Sequence, residues 1–393
     1  MLLFSRGVRG FADGLVSVVL PLYLVARGYS PVRIGALVTA TLVGSAAITL
    51  LVGMRAHRYD RLRLLRLATV LMIATGVGFY AATSYWLLVA VAVAGTLNPS
   101  SGDVSVFLPT EQALLPATVA ASQRTTLFAR YAFIGAACAA VGALAAGLPE
   151  QLRRRTGLDA SEASALRSAF LVYAACGVVV WFAYRRLRAT RCRRGPRRPR
   201  RWARSRGTVY RLSALFSLDS FGGGFVVQSI LVLWLSERHQ LSTSTTGLIF
   251  FWSGLASGVS TLAAPWLARR IGLIRTMAFT HLPANVFLLL AAFAPSPTAA
   301  VALLLARAAL SQMDVPARTS YVMAVVEPAE RPAAASITNV PRSLAAALPP
   351  FAAGWLLEHS SFGWPLVLGG GLKAVYDVLL LLAFAELRPP EER

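Results

Sequence analysis

The sequence predicts an all-α polytopic membrane protein with twelve transmembrane helices in two pseudo-symmetric six-helix bundles. Three observations predict it. Of 393 residues, 56% are hydrophobic and 14% charged, with a mean hydropathy of +0.59. A soluble chain of this length would need far more surface charge. Apolar runs long enough for about 20 helical residues, the length that crosses ~30 Å of hydrocarbon, recur along the chain. They are continuous rather than alternating, which argues against a β-barrel. Finally, the two halves of the chain resemble each other at one constant offset.

Charges, glycines and prolines bound the apolar runs at about 9–26, 33–54, 64–83, 86–115, 125–148, 168–184, 209–236, 246–268, 274–294, 298–326, 333–357 and 364–386. Arg6 and Arg9 lead straight into the first run without a cleavage motif, so no signal peptide is expected. The segment 185–208, RRLRATRCRRGPRRPRRWARSRGT, divides the spans six and six. Like charges interrupted by Pro and Gly cannot bury a core, so it reads as a solvated linker that can touch anionic headgroups. The expected units are therefore 1–184, the linker 185–208, and 209–393.

The net charge of +22 does not point to nucleic acid, because the arginines collect in loops between spans. With both termini placed inside, 27 of the 39 basic residues fall in cytoplasmic loops and tails, and seven fall outside. That asymmetry orients the chain with its termini in the cytoplasm. Cys138, Cys176 and Cys192 and the four histidines are scattered, so neither a disulfide frame nor a metal site is expected.

A shift of 211 to 212 residues brings Leu24 onto Leu235, Ser30 onto Ser242, Gly35 onto Gly247 and Arg58 onto Arg270. It also brings Ser100 and Asp103 onto Ser311 and Asp314, and Arg130 onto Arg342. A parallel six-plus-six repeat is a transporter architecture with its site between the halves near the midplane.

With these features the chain resembles the major facilitator superfamily over nearly its whole length, and is similar to a bacterial branch of it. The superfamily's loop after the second span has the form G-x-x-x-D-R-x-G-R-R. Here it reads GMRAHRYDRLR over 53–63, with His57 and Asp60 at the Asp and second Gly positions. The copy after the eighth span reads PWLARRIG over 265–272. The resemblance implies a gating role for Arg58, Asp60 and Arg270. It also implies a monomer in the bacterial cytoplasmic membrane that moves a small molecule by alternating access. The Arg and Gly-Pro runs of its drug/proton antiporters are missing from the fourth and fifth spans.

The resemblance further implies that spans 1, 4, 7 and 10 line a central cavity. Those spans hold most of the charges expected to be buried. In the tenth, Arg307, Ser311, Asp314, Arg318 and Tyr321 form one polar stripe at helical spacing. A charge at the bilayer centre costs roughly 2.5–3.5 kcal/mol on insertion scales, so such residues face a partner or a watery space. Arginine stays protonated and grips carboxylate or phosphate bidentately. Arg307 and Arg318, with Ser311, Tyr321, Gln228, Thr96 and Ser100, are therefore the candidate substrate contacts. Carboxylates in a poorly solvated cavity can exchange protons near neutrality, so Asp103, Asp314, Asp13 and Asp219 are the candidate coupling groups. Arg130, Arg342 and Glu111 lie toward the cytoplasmic gate. Alternatively the charges pair structurally: Asp314 with Arg318, Asp103 with Arg130, and Lys373 with Asp377 on the last span.

The leading expectation is a proton-coupled secondary transporter of an organic anion or zwitterion, without a cofactor. Efflux of cationic or amphiphilic compounds through Asp13 and Asp103 is the alternative. A sensor or membrane enzyme on the same fold is the alternative of another class. No phosphate-binding G-x-x-x-x-G-K-[ST] loop occurs, so nucleotide drive within the chain is not expected.

Overall fold

A computed structural model describes residues 1–55, 60–100, 107–112, 124–156, 161–187, 206–326 and 331–384. The N-terminal half comprises α1 (Leu2–Ala26), α2 (Pro31–Arg55), α3 (Arg61–Ala81), α4 (Tyr85–Ala94), α5 (Phe107–Gln112), α6 (Arg124–Ala145), α7 (Leu148–Thr156) and α8 (Glu162–Arg185). The C-terminal half comprises α9 (Arg206–Gly224), α10 (Gln228–His239), α11 (Thr243–Ile271), α12 (Leu273–Ala292), α13 (Pro297–Leu310), α14 (Asp314–Val325), α15 (Arg331–Ala347), α16 (Pro349–His359) and α17 (Trp364–Phe384). Among the described residues, ten helical stretches are long and apolar enough to cross a membrane.

Helix starts follow short polar residues. Ser84, Ser161, Ser242 and Ser296 each accept the backbone N–H of the third residue onward, and Asp60 accepts that of Leu62. These side chains satisfy donors that a helix leaves unpaired at its start.

Four expected spans are not continuous helices. The fourth stops at Gly95 and runs irregularly through Asn98 and Pro99, and the seventh breaks over 225–227 after Gly222–Gly224. The tenth breaks over 311–313, and the eleventh at Leu348 before Pro349 and Pro350. Proline explains the last two: it cannot donate to the preceding turn, and it is tolerated in a first turn. Pro316 accordingly sits in the first turn of α14, and Pro349 opens α16. Irregular backbone at membrane depth survives only where protein or a cavity supplies partners. The supply is visible around span 4: Thr75 Oγ1 accepts the Thr96 N–H at 3.2 Å, and the Tyr173 hydroxyl donates to the Thr96 carbonyl at 3.1 Å.

The halves meet from mid-depth to the end away from the chain termini. There α1 packs on α10, α2 on α16, and α6 on α11. One core cluster joins both halves, bringing Tyr23 and Leu37 together with Ile230, Trp234 and Ala353. The approach of α2 to α16 is backbone-close at Gly35 and Gly354, where an added methyl group would overlap the Pro350 or Pro31 carbonyl. Such pairs of small residues let helices associate inside a membrane. The core cluster near the termini, around Phe216, Tyr321 and Tyr376, belongs to the C-terminal half alone. No comparable helix pairing joins the halves at that end among the described residues.

Candidate functional site

Where spans 1, 4 and 7 break or approach one another, the halves are tied by hydrogen bonds. Ser229, in the first turn of α10, donates through Oγ to the carbonyls of Ser17 at 3.0 Å and Pro99 at 2.8 Å, and its N–H reaches Pro99 at 3.2 Å. This knot closes the space between the halves on the side away from the termini. Gln228, beside it, is half-buried. Ser100 bonds the Asn98 amide oxygen through its hydroxyl at 2.8 Å, and Asn98 also bonds Asp13, which is buried on α1.

The C-terminal half holds the denser set of charges. Asp219, on α9, is buried and receives three elements at once. Lys373 of α17 donates to Oδ1 at 2.6 Å, Arg318 of α14 donates to Oδ2 at 3.0 Å, and His281 Nε2 of α12 lies 3.8 Å from Oδ1. Arg318 also reaches Asp314, 3.5 Å away, and lies over the Phe216 ring at 5.5 Å. Asp377 of α17 is 0% exposed and faces His281 Nδ1 at 2.9 Å and Asn285 Nδ2 at 2.8 Å. Among the described residues four cations (Arg307, Arg318, Arg342 and Lys373) accompany three carboxylates (Asp219, Asp314 and Asp377) in this region. With a neutral His281 the set carries a surplus positive charge.

Beside Arg318 lies a cleft of about 50 Å³ lined by Phe216, Arg318, Thr319, Thr338, Asn339 and Arg342. Arg342 donates from Nε to Ser220 Oγ at 2.8 Å. The cleft is large enough for one small polar group between two guanidinium side chains.

The structure rearranges several expectations. The polar stripe of span 10 is not unbroken. The break at 311–313 separates Arg307, on α13, from Asp314 and Arg318, on α14, because the helix restarts ahead of Pro316. Arg307 is half-buried, and its Nε is buried without a partner among the described residues. Ser311 caps the end of α13. Tyr321 packs in the core edge-on to Phe384 at 6.1 Å between ring centroids. Thr96 is held by Thr75 and Tyr173 within its own half. Lys373 and Asp377 do not pair with each other: one turn apart on α17, they reach inward to different partners, Asp219 and the His281–Asn285 pair. Arg130 is exposed on α6, and Arg270 stacks over Trp266 at 4.4 Å. Asp103 and Arg58 lie outside the described residues, and Asp60 caps α3.

Sequence reasoning counted Arg9 with the cytoplasmic arginines. It is 2% exposed, pairs with Glu111, and lies over the Phe107 ring at 4.3 Å. Glu111 also accepts the hydroxyls of Tyr131 and Tyr184, so it joins α1, α5, α6 and α8. His281 and Asn285 were missed as well. Their four-residue spacing matches that of Lys373 and Asp377, and two such polar pairs in apolar spans are a readable sign of facing helices.

The comparisons fit this architecture. The chain is 24% identical over 411 residues to the uncharacterized membrane protein YJR124C of Saccharomyces cerevisiae, covering 96% of this chain and 92% of that one. Among solved structures it resembles a bacterial homologue of the human lysosomal transporter Spinster in an inward-facing, occupied conformation (TM-score 0.74, 16% identity, 98% and 97% coverage). It also resembles the xylose transporter XylE from E. coli in a partially occluded inward-open conformation (0.72, 15%, 100% and 98%). The nucleoside transporter NupG is a third (0.71, 13%, 98% and 98%). At these identities the likeness to solved structures is one of fold. The family model of the Major Facilitator Superfamily matches twice, over residues 2–217 and 212–393. The chain is a multi-pass membrane protein that belongs to the Major Facilitator Superfamily.

Proposed function

We infer that the protein is a proton-coupled secondary transporter that carries a small organic anion or zwitterion by alternating access. The observation that carries this reading is the cleft between Arg318 and Arg342, set in a region where cations outnumber carboxylates among the described residues. A guanidinium that has already lost most of its water binds a carboxylate or phosphate strongly and with defined geometry. Arg307 supplies a further cation within electrostatic reach of Asp219. In this reading Arg318, Arg342 and Arg307 bind the substrate's charge, while Ser100, Gln228 and Ser311 border the path near the broken helices.

The positive-inside bias supports termini in the cytoplasm, with units 1–184 and 209–393 joined by the basic linker 185–208. The knot at Ser229 and the Gly35–Gly354 approach then close the outer side. In that orientation the inner side is the one where no comparable helix pairing joins the halves among the described residues. Arg130, Glu111, Arg58, Asp60 and Arg270 belong to the cytoplasmic gate that closes in the alternate state.

The test is uptake by proteoliposomes containing the purified chain, with and without an inward proton gradient. The probes are radiolabelled succinate, glutamate and glucose 6-phosphate, with tetraphenylphosphonium as a cation. Gradient-stimulated uptake of an anion or zwitterion supports the reading. Uptake of the cation alone, or uptake indifferent to the gradient, contradicts it.

A further inference from the structure

We propose that His281 is the proton-binding residue of this transporter and that its protonation is linked to anion binding through Asp219 and Arg318. The proposal rests on the anion reading above and deepens it by naming the coupling group and the direction of coupling.

The geometry separates two carboxylates by what faces them. Asp219 has two permanent cations, Lys373 at 2.6 Å and Arg318 at 3.0 Å. Asp377 has Asn285, which is neutral, and His281. A buried carboxylate is stabilised by an adjacent cation, and His281 is the group beside Asp377 that gains a charge when it binds a proton. The partners also assign the ring's hydrogens. Asp377 Oδ1 faces Nδ1 at 2.9 Å and Asn285 Nδ2 lies 3.3 Å from it; with the carboxylate ionised, Nδ1 carries the hydrogen. Nε2 is left with its lone pair toward Asp219 Oδ1, 3.8 Å away. A proton taken from water binds there, converting imidazole to imidazolium, and returns to water when the site is released.

The other groups around His281 are accounted for. On α17, Tyr376 meets the ring edge-on at 6.1 Å, next to Lys373 and Asp377. From α14, Arg318 bridges Asp219 and Asp314, and from α13 Arg307 acts on Asp219 at longer range. The only charged residues of α11, Arg269 and Arg270, are in its last turn and exposed. Among the described residues His281 is the one imidazole inside this network of carboxylates, guanidinium groups and an ammonium.

The linkage follows from competition for Asp219. An anion in the cleft draws Arg318 toward itself and leaves Asp219 with less positive charge, which makes a proton on His281 more favourable. By reciprocity a proton on His281 compensates Asp219 and releases Arg318 for the anion. Proton and anion therefore bind together and travel in the same direction.

Histidine-selective ¹⁵N NMR on the full chain in nanodiscs tests this without any substrate. Replacing His57, His239 and His359 by Gln leaves His281 as the sole signal and does not disturb the cluster. We expect a reversible titration between pH 5 and 9. Arg318→Gln should make His281 hold its proton to higher pH by about one unit, a tenfold gain in proton affinity, and Asp219→Asn should move it the other way. Arg318→Lys, which keeps the charge, should leave the midpoint near that of the parent. A His281 signal that does not change across this range overturns the proposal, as does a midpoint indifferent to Arg318→Gln. Either result leaves the anion uptake assay standing, and failure of that assay leaves the titration standing.

Discussion

Arg318 and Asp219 meet at 3.0 Å between two of the three broken spans of the C-terminal half, one from α14 and the other from α9. Arg318 lines the cleft, and Asp219 also binds Lys373 of α17 and lies 3.8 Å from His281 of α12, so this ion pair joins the cleft to those two groups. Arg318→Ala should therefore do more than remove a substrate contact. Breaking a buried pair costs about 3–5 kcal/mol, so thermal unfolding should begin at a lower temperature. Anion uptake should fall at least about tenfold, a loss of ~1.4 kcal/mol of binding. Arg318→Lys should recover most of the stability but little of the uptake, because an ammonium lacks the bidentate fork.

Lys373 and Asp219 give a cleaner separation of pairing from folding. Lys373→Met and Asp219→Asn each strand a buried charge and should each lower thermal stability. The double variant removes both charges and should cost less than the two single changes summed. Unfolding followed by intrinsic tryptophan fluorescence measures all four proteins. Additive losses would mean that the pair is not coupled.

Much of the fold could be read in the sequence because continuous apolar runs and a constant repeat offset survive any detail of packing. The breaks were less legible. Gly222–Gly224 and Pro349–Pro350 mark two of them in plain view, yet hydropathy averages over such residues. The break at 311–313 turns the apparent single stripe into two short helices, and it changes which charges can meet. Side-chain partners were harder still. Lys373 and Asp377 stand one turn apart, which suits a local pair, and only the positions of α9 and α12 show that each reaches a different helix. Arg9 looked like a loop arginine because it opens its span, although Glu111, 102 residues away, is what buries it.

The close approach of α2 to α16 predicts a state-selective variant. Gly35→Leu cannot be accommodated against the Pro350 carbonyl and Gly354, so it should hold the halves apart at the end distant from the termini. With the native cysteines replaced by serine, a cysteine introduced at Gln228 should react at least about tenfold faster with an impermeant maleimide, as expected for a population shift toward that open state. Unchanged reactivity would remove this contact from the gate.

Glu358, at the same end, accepts the Val32 N–H at 2.9 Å and thereby latches α16 to the start of α2. The Val32 N–H, then the Ser30 side chain, hold its carboxyl below the usual range. The sign follows from linkage: a depressed carboxyl contributes fully above its ordinary value, and the contribution is lost as pH falls through the depressed one. The latch is fully exposed to solvent, so the effect is modest. The labelling rate of the Gln228→Cys protein, divided by that of a free thiol at the same pH to remove the change in thiolate content, should rise as pH drops below the ordinary carboxylate range, and Glu358→Gln should show the acidic ratio at neutral pH. A ratio independent of pH in the parent would assign the closure to packing alone.

The central claim is that an anion moves with a proton through the site at Arg318, and counterflow tests it most directly. Proteoliposomes loaded with the anion or zwitterion that the uptake panel identifies are diluted into its labelled form, with the parent, Arg318→Ala and His281→Gln proteins side by side. The account predicts exchange by the parent, none by Arg318→Ala, and exchange by His281→Gln that a proton gradient no longer drives to accumulation. Exchange that survives Arg318→Ala, or gradient-driven accumulation that survives His281→Gln, would contradict it.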